Sequence, residues 1–162
     1  MELILIHVGI GQMRIARSPA RLMCVGLGSC VAVALWDSST KIGGMVHIML
    51  PDSKISKKSE VLPGKYADTA AKALLEEMKV HGANQYVTVA KIAGGANMFK
   101  NVSVDMKDIG SENAKAAKKS LIDIHIRLLA EDTGGTLGRT VELDTTNGNL
   151  IIRNIRGRTI TI

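Results

Sequence analysis

Apolar and polar positions divide the chain into a strand-rich first third, a helical middle and a strand-rich end. Residues 2–8, 21–25, 31–36 and 42–50 are short runs rich in Val, Ile, Leu and Met, separated by turn residues, which is the pattern of β-strands. Asp37-Ser38-Ser39-Thr40 supplies turn chemistry between the last two runs and predicts a hairpin closed at residues 37–41. Residues 51–64, with Lys54, Lys57 and Lys58, read as an exposed and mobile loop. Ala67, Ala70, Ala71, Leu74, Leu75 and Met78 then recur at the spacing of one helix face, and Gly82 supplies a stop. A strand over 86–92 runs into Gly94-Gly95. A second helix is expected from Ser111 as N-cap, with Ala114, Ala117, Leu121 and Ile124 on one face. Four more strands follow at 127–131, 140–143, 150–153 and 159–162, with Asn147-Gly148 as a hairpin turn. Eight or nine strands with two main helices, not in βαβ alternation, predict an α+β fold with mixed or antiparallel sheet. No repeat, low-complexity tract or linker divides residues 1–162, so a single domain is expected.

Composition narrows the class. A chain of 162 residues can bury a real core, and 46% hydrophobic with 22% charged residues is ordinary for a globular protein. No apolar run approaches the roughly 18 residues of a membrane span. Glu2 stands where a signal peptide would carry a basic residue, so a cytoplasmic protein without membrane insertion is expected. The net charge of +6 favours an acidic partner. Trp36, Tyr66, Tyr86 and Phe99 are too few to build a base-stacking platform, which argues against nucleic acid. The two cysteines, Cys24 and Cys30, are expected as thiols in a reducing compartment. Their spacing is not a zinc pattern and His7, His47, His81 and His125 are scattered, so neither metal nor cofactor is expected.

Candidate chemistry gathers at VGLGSCVAVALW. Gly26 and Gly28 bracket a turn, and Cys30 opens a strand. A thiol there can stand at the edge of a sheet beside free backbone N–H groups, the natural donors to an oxyanion; Gly28 and Ser29 would supply that part of the substrate site. Free cysteines are also common as small core residues. His47 alternates with Val46 and Ile48 and therefore shares a strand face with Met45 and Met49. If 31–36 and 42–50 pair as a hairpin, Cys30 and His47 lie at its same open end, where an imidazole can activate a thiol. Cys24, Ser29 and Asp52 are candidates for a third group that orients the histidine. Gly26-x-Gly28 lacks the third glycine of a dinucleotide fingerprint, and no P-loop is present.

With GLGSC followed by MVHIMLPD, KYADTA, KIAGGANMF and AEDTGGTLGR in order, the chain resembles the CheD family of chemoreceptor glutamine deamidases over nearly its whole length. The resemblance implies a three-layer sandwich of two stacked sheets with helices on one side. It implies hydrolysis of glutamine side-chain amides, and in some members of glutamate methyl esters, on the cytoplasmic helical domain of methyl-accepting chemotaxis receptors. It places the nucleophile at Cys30 and the histidine at His47, with no cofactor. It also implies the CheC phosphatase as a partner, for which Phe99 is a candidate exposed anchor; a chain that mainly binds CheC and catalyses little is the alternative. The family's third catalytic residue is a threonine where this chain has Cys24. A thiol is the weaker hydrogen-bonding group, so the expectation is that a backbone carbonyl or another side chain orients His47, or else that turnover is slower. A Cys24–Cys30 disulfide that switches the enzyme off is a further alternative. Glu112 stands where the family commonly has arginine, which changes any contact made there.

Overall fold

The computed structural model describes residues 2–59, 61–99 and 108–162. In chain order these form β1 (Ile4–His7), β2 (Met13–Arg17), β3 (Ala20–Leu27), β4 (Val31–Asp37), β5 (Ile42–Ile48), α1 (Ala67–Val80), β6 (Thr88–Gly94), α2 (Ile109–Asp123), β7 (Arg127–Thr133), β8 (Arg139–Asp144), β9 (Leu150–Asn154) and β10 (Thr159–Thr161). One sheet has the order β1-β3-β8-β9-β10 and the other β2-β5-β4-β6-β7. The β1–β3 and β6–β7 pairs are parallel. The remaining pairs are antiparallel.

Two apolar layers follow from the sequence of the second sheet. Ala32, Ala34, Met45 and Ala93 face the first sheet and meet Leu22, Leu27, Val141, Leu143 and Ile152. Val31, Val33, Leu35, Val46 and Ile92 face the other way, onto Ala70, Leu74 and Met78 of α1 and Ala114, Ala117 and Leu121 of α2. A strand covered on both faces must be apolar at every position, which is why β4 reads VAVAL without a polar break. The layers are therefore sheet, sheet, helices, the α+β sandwich that the family resemblance implies.

The β4–β5 hairpin closes as the turn residues predict, with Val31 opposite Ile48, Ala32 opposite His47 and Asp37 opposite Ile42. Asp37 is fully buried at the closed end. Its carboxylate accepts from Ser39 N–H and Oγ (2.7 and 2.6 Å), Thr40 N–H and Oγ1 (3.3 and 2.7 Å) and Asn84 N–H (2.7 Å). Burial disfavours its charge, but these bonds prevail and hold the carboxyl at about 2 against an ordinary 3.8.

The structure differs from the sequence reading at three places. There are ten strands among the described residues; β2 was not expected, because Arg14 and Arg17 interrupt its short apolar pattern. Those arginines suit its position at the edge of a sheet. Helix α2 begins two residues before Ser111, and Asp108 is its N-cap, accepting from the Ser111 N–H at 3.0 Å. A cap accepts from an N–H of the first turn, so Ser111 is the residue served, not the one serving. Within 51–64, Ser53–Ile55 forms a 3-10 turn tied to α1 through Ser53 and Asp68, and Pro63–Lys65 begins another.

Asp37→Ala strands several buried donors at the hairpin turn. It is expected to cost about 3 kcal/mol and to lower the melting temperature by about 6–12 °C. The carboxyl's folded value lies below its unfolded one, so its contribution is complete above the ordinary 3.8 and fades as pH falls toward 2. Melts from neutral to acid pH should show the wild type converging on the variant; a variant as stable as wild type at pH 7 would refute the role.

Candidate active site

Cys30 lies one residue before β4 and His47 one residue before the end of β5. Side chains alternate along a strand, so Cys30 falls on the face of Ala32 and Ala34 and packs at the margin of the layer between the sheets. His47 sits opposite Ala32 on the same face, diagonal to Cys30. Both line one cleft of about 220 Å³, together with His7, Ile10, Val25 and Gly26. A bulge in β3 between Cys24 and Leu27 shapes its rim, with Gly26 at φ 65° and its N–H donating to Thr140 Oγ1 at 3.2 Å.

His47 is 4% exposed. Its Nδ1 lies 3.1 Å from the Val8 carbonyl. A carbonyl only accepts, so Nδ1 carries the proton and Nε2 holds the free lone pair. Nε2 is buried and has no partner among the described residues. Burial pulls the imidazole pKa below its ordinary 6.5, against the opposing effect of the Val8 bond. A neutral ring with an unengaged Nε2 is the form a general base requires. Burial also pushes the half-buried Cys30 thiol above its ordinary 9.0, so thiol and imidazole are both neutral at rest.

The other candidates lie elsewhere in the hydrogen-bond network. Cys24 is buried and donates its S–H to Met45 Sδ at 3.3 Å. Burial first, and the neighbouring Cys30 second, push it up to about 12. Asp52 caps the 3-10 turn through Lys54 N–H at 2.8 Å. The backbone of the turn before Cys30 is held on its carbonyl side: Gly28 accepts from Ala96 N–H at 2.9 Å, Cys30 from Gly95 N–H at 2.9 Å, and Ser29 from Asn113 Nδ2 at 2.9 Å. The N–H groups of Gly28, Ser29 and Cys30 donate to no described residue.

Gly94 makes this approach possible. It has φ 112°, and a Cβ there would collide with the Cys30 carbonyl. Gly95 and Gly110, at the start of α2, meet backbone to backbone in the same corner. The loop after β6 is fixed by Asn97 N–H to Gly135 O (2.8 Å) and Gly134 N–H to Gly94 O (3.0 Å). The buried Arg139 braces it through the Asp132 carboxylate at 3.1 Å and the Gly134 carbonyl. Met98 covers Gly28, and Phe99 beyond it is 54% exposed. Among the described residues no three His, Cys, Asp or Glu side chains cluster as metal ligands, and no helix is long and apolar enough to cross a membrane.

Two contributors could not be identified from the sequence: which backbone carbonyl serves His47, and Asn113. A backbone acceptor such as the Val8 carbonyl leaves no residue-type signal. Asn113 left one: an amide on the buried face of α2, between Gly110 and Ala117. The exposed Glu112 beside it pairs at 4.0 Å with Lys115, so the contact to the turn comes from Asn113.

Comparison with known proteins places this sandwich in a class. The family model described as CheD chemotactic sensory transduction matches residues 49–154. A protein of Bacillus licheniformis named chemoreceptor glutamine deamidase CheD is 42% identical over 162 residues, spanning 99% of this chain and 96% of its own, and that match runs through Cys30 and His47. Proteins with the same name from Thermotoga maritima and Bacillus subtilis are 47% and 41% identical, covering 93% and 96% of this chain and 92% and 94% of theirs. The chain belongs to the CheD family.

The neutral resting pair generates a prediction. Alkylation of Cys30 by iodoacetamide, followed by peptide mass spectrometry, is expected to be slow at pH 7 and to rise through a midpoint above 9. A rate already at its plateau at pH 7 would indicate a resting thiolate and contradict the burial argument.

Proposed function

We propose that the chain deamidates glutamine side chains on the cytoplasmic helical domain of chemotaxis receptors, by acyl transfer through a thioester on Cys30. The observation that carries this reading is the shared cleft of Cys30 and His47, in which the His47 Nε2 is buried, unprotonated and unengaged. The names of the relatives supply the reaction class and substrate.

The shared cleft supports the following steps. A glutamine side chain enters the cleft and Nε2 of His47 takes the Cys30 proton as the sulfur attacks the amide carbon. The C–S bond forms and the carbonyl oxygen becomes an oxyanion, which the N–H groups of residues 28–30 stabilise. The carbon–nitrogen bond breaks as the imidazolium returns its proton to the nitrogen, releasing ammonia. Water, deprotonated by the same Nε2, attacks the thioester; the C–S bond breaks, glutamate leaves and the thiol is reprotonated. The imidazolium exists only during turnover, and the Val8 carbonyl orients it through Nδ1, so Cys24 need not serve as the third catalytic group. Cys24 instead packs between the sheets. Glutamate methyl esters present the same acyl carbon with a better leaving group and pass through the same steps. The reaction takes place in the cytoplasm and requires no cofactor.

The exposure of Phe99 favours a second role for the same end of the molecule, a contact with the CheC phosphatase. Met98 and Phe99 then couple partner binding to the turn that carries Cys30.

With purified receptor cytoplasmic domain as substrate, Cys30→Ala is expected to abolish ammonia release and the glutamine-to-glutamate mass change while the fold is retained. His47→Ala is expected to lower turnover by about 10²–10⁴-fold. Undiminished ammonia release from Cys30→Ala would refute the assignment.

A further inference from the structure

Asn113 is fully buried on α2, yet no part of the acyl-transfer scheme uses it. Its Nδ2 donates to the Ser29 carbonyl at 2.9 Å and to the Met49 carbonyl at 3.0 Å. Two carbonyl partners fix the orientation of the amide, because only the NH2 end can donate to both. Oδ1 is left buried without a partner among the described residues. Burying an unsatisfied amide oxygen is unfavourable, and a face that packs Ala114, Ala117 and Leu121 against the second sheet does not need this amide for packing.

The two carbonyls identify what the side chain does. Ser29 immediately precedes Cys30, and Met49 lies two residues beyond His47, so one amide ties together the strand ends that carry the thiol and the imidazole. In a planar trans peptide the C=O and the following N–H point in opposite directions. Holding the Ser29 carbonyl toward α2 therefore turns the Cys30 N–H away from the helix layer. That is the side of the sheet on which the Cys30 side chain packs. The neighbouring peptides are fixed by backbone donors, Ala96 N–H on Gly28 and Gly95 N–H on Cys30. The Ser29–Cys30 peptide is the one whose direction depends on a side chain.

We propose that Asn113 is the positioning residue of the oxyanion site: by holding the Ser29 carbonyl it keeps the Cys30 N–H facing the cleft. This rests on the reading of Cys30 as nucleophile. Without Asn113 the peptide can turn over and place a carbonyl oxygen where the developing negative charge must be stabilised.

The test compares two reactions at the same sulfur. Deamidation forms an oxyanion; alkylation by iodoacetamide does not. Asn113→Ala and the isosteric Asn113→Asp, whose carboxylate would face two carbonyl oxygens, are assayed beside wild type and Cys30→Ala. For both variants kcat on the receptor domain is expected to fall about 10²-fold, the usual effect of losing one oxyanion donor, with KM and the Cys30 alkylation profile little changed. Unchanged kcat overturns the proposal. So does a parallel loss of kcat and alkylation, which would mark a merely structural role. Turnover by Cys30→Ala would instead remove the nucleophile assignment, a distinguishable failure. If neither variant folds, amide resonances of the wild type decide: a glutamyl aldehyde peptide forming a hemithioacetal should shift the Cys30 N–H strongly, and an unmoved resonance overturns the proposal.

Discussion

Strand β4 is constrained on every side. It is hydrogen-bonded along its whole length to β5 on one edge and β6 on the other. Both of its faces are covered by apolar layers, but the layers differ in size: Val31, Val33 and Leu35 fill the space under the helices, while Ala32 and Ala34 allow the first sheet to approach. A register slip of one residue would keep the strand apolar yet force branched side chains between the sheets and leave voids under α1 and α2. Size alternation, more than hydrophobicity, therefore sets the register. That register puts Cys30 and His47 on one face at one end.

The hairpin was legible because independent signals agree on it: two apolar runs rich in Val, Ile, Leu and Met, and a turn of Asp, Ser and Thr that puts residues 30 and 47 at the same open end; that they also share a face follows from the register. Helix α1 was equally legible from its apolar stripe. Strand β2 was not, since an edge strand needs only one covered face and Arg14 and Arg17 mask what remains. The partner of His47 was legible only in kind. With Cys24 in the third position a backbone carbonyl was one of the alternatives, but residue type cannot say which backbone oxygen it is, and the one that serves lies thirty-nine positions away. Asn113 was visible as an anomaly on its helix face, but its meaning depends on which loops end beneath it, and that is settled only when both sheets are assembled.

The electrostatics of the cleft follow from burial. Desolvation acts on the thiol and the imidazole in opposite directions on the pH scale, yet toward the same result, since each is pushed to its uncharged form. Such a pair carries no standing charge that would attract water or stray electrophiles.

The corner where the turn before Cys30, the loop after β6 and the first turn of α2 converge is built almost wholly from main chain, with Gly94, Gly95 and Gly110 at the contacts. Side chains absorb small displacements by changing rotamer; peptide planes pressed against one another have no such freedom. Substitutions elsewhere in the core can be accommodated by repacking, whereas here any added atom must move a whole segment. Diversification among chains of this architecture should thus fall on the rim, at positions such as Ile10, Val25 and Phe99, while the masonry behind the sulfur stays fixed.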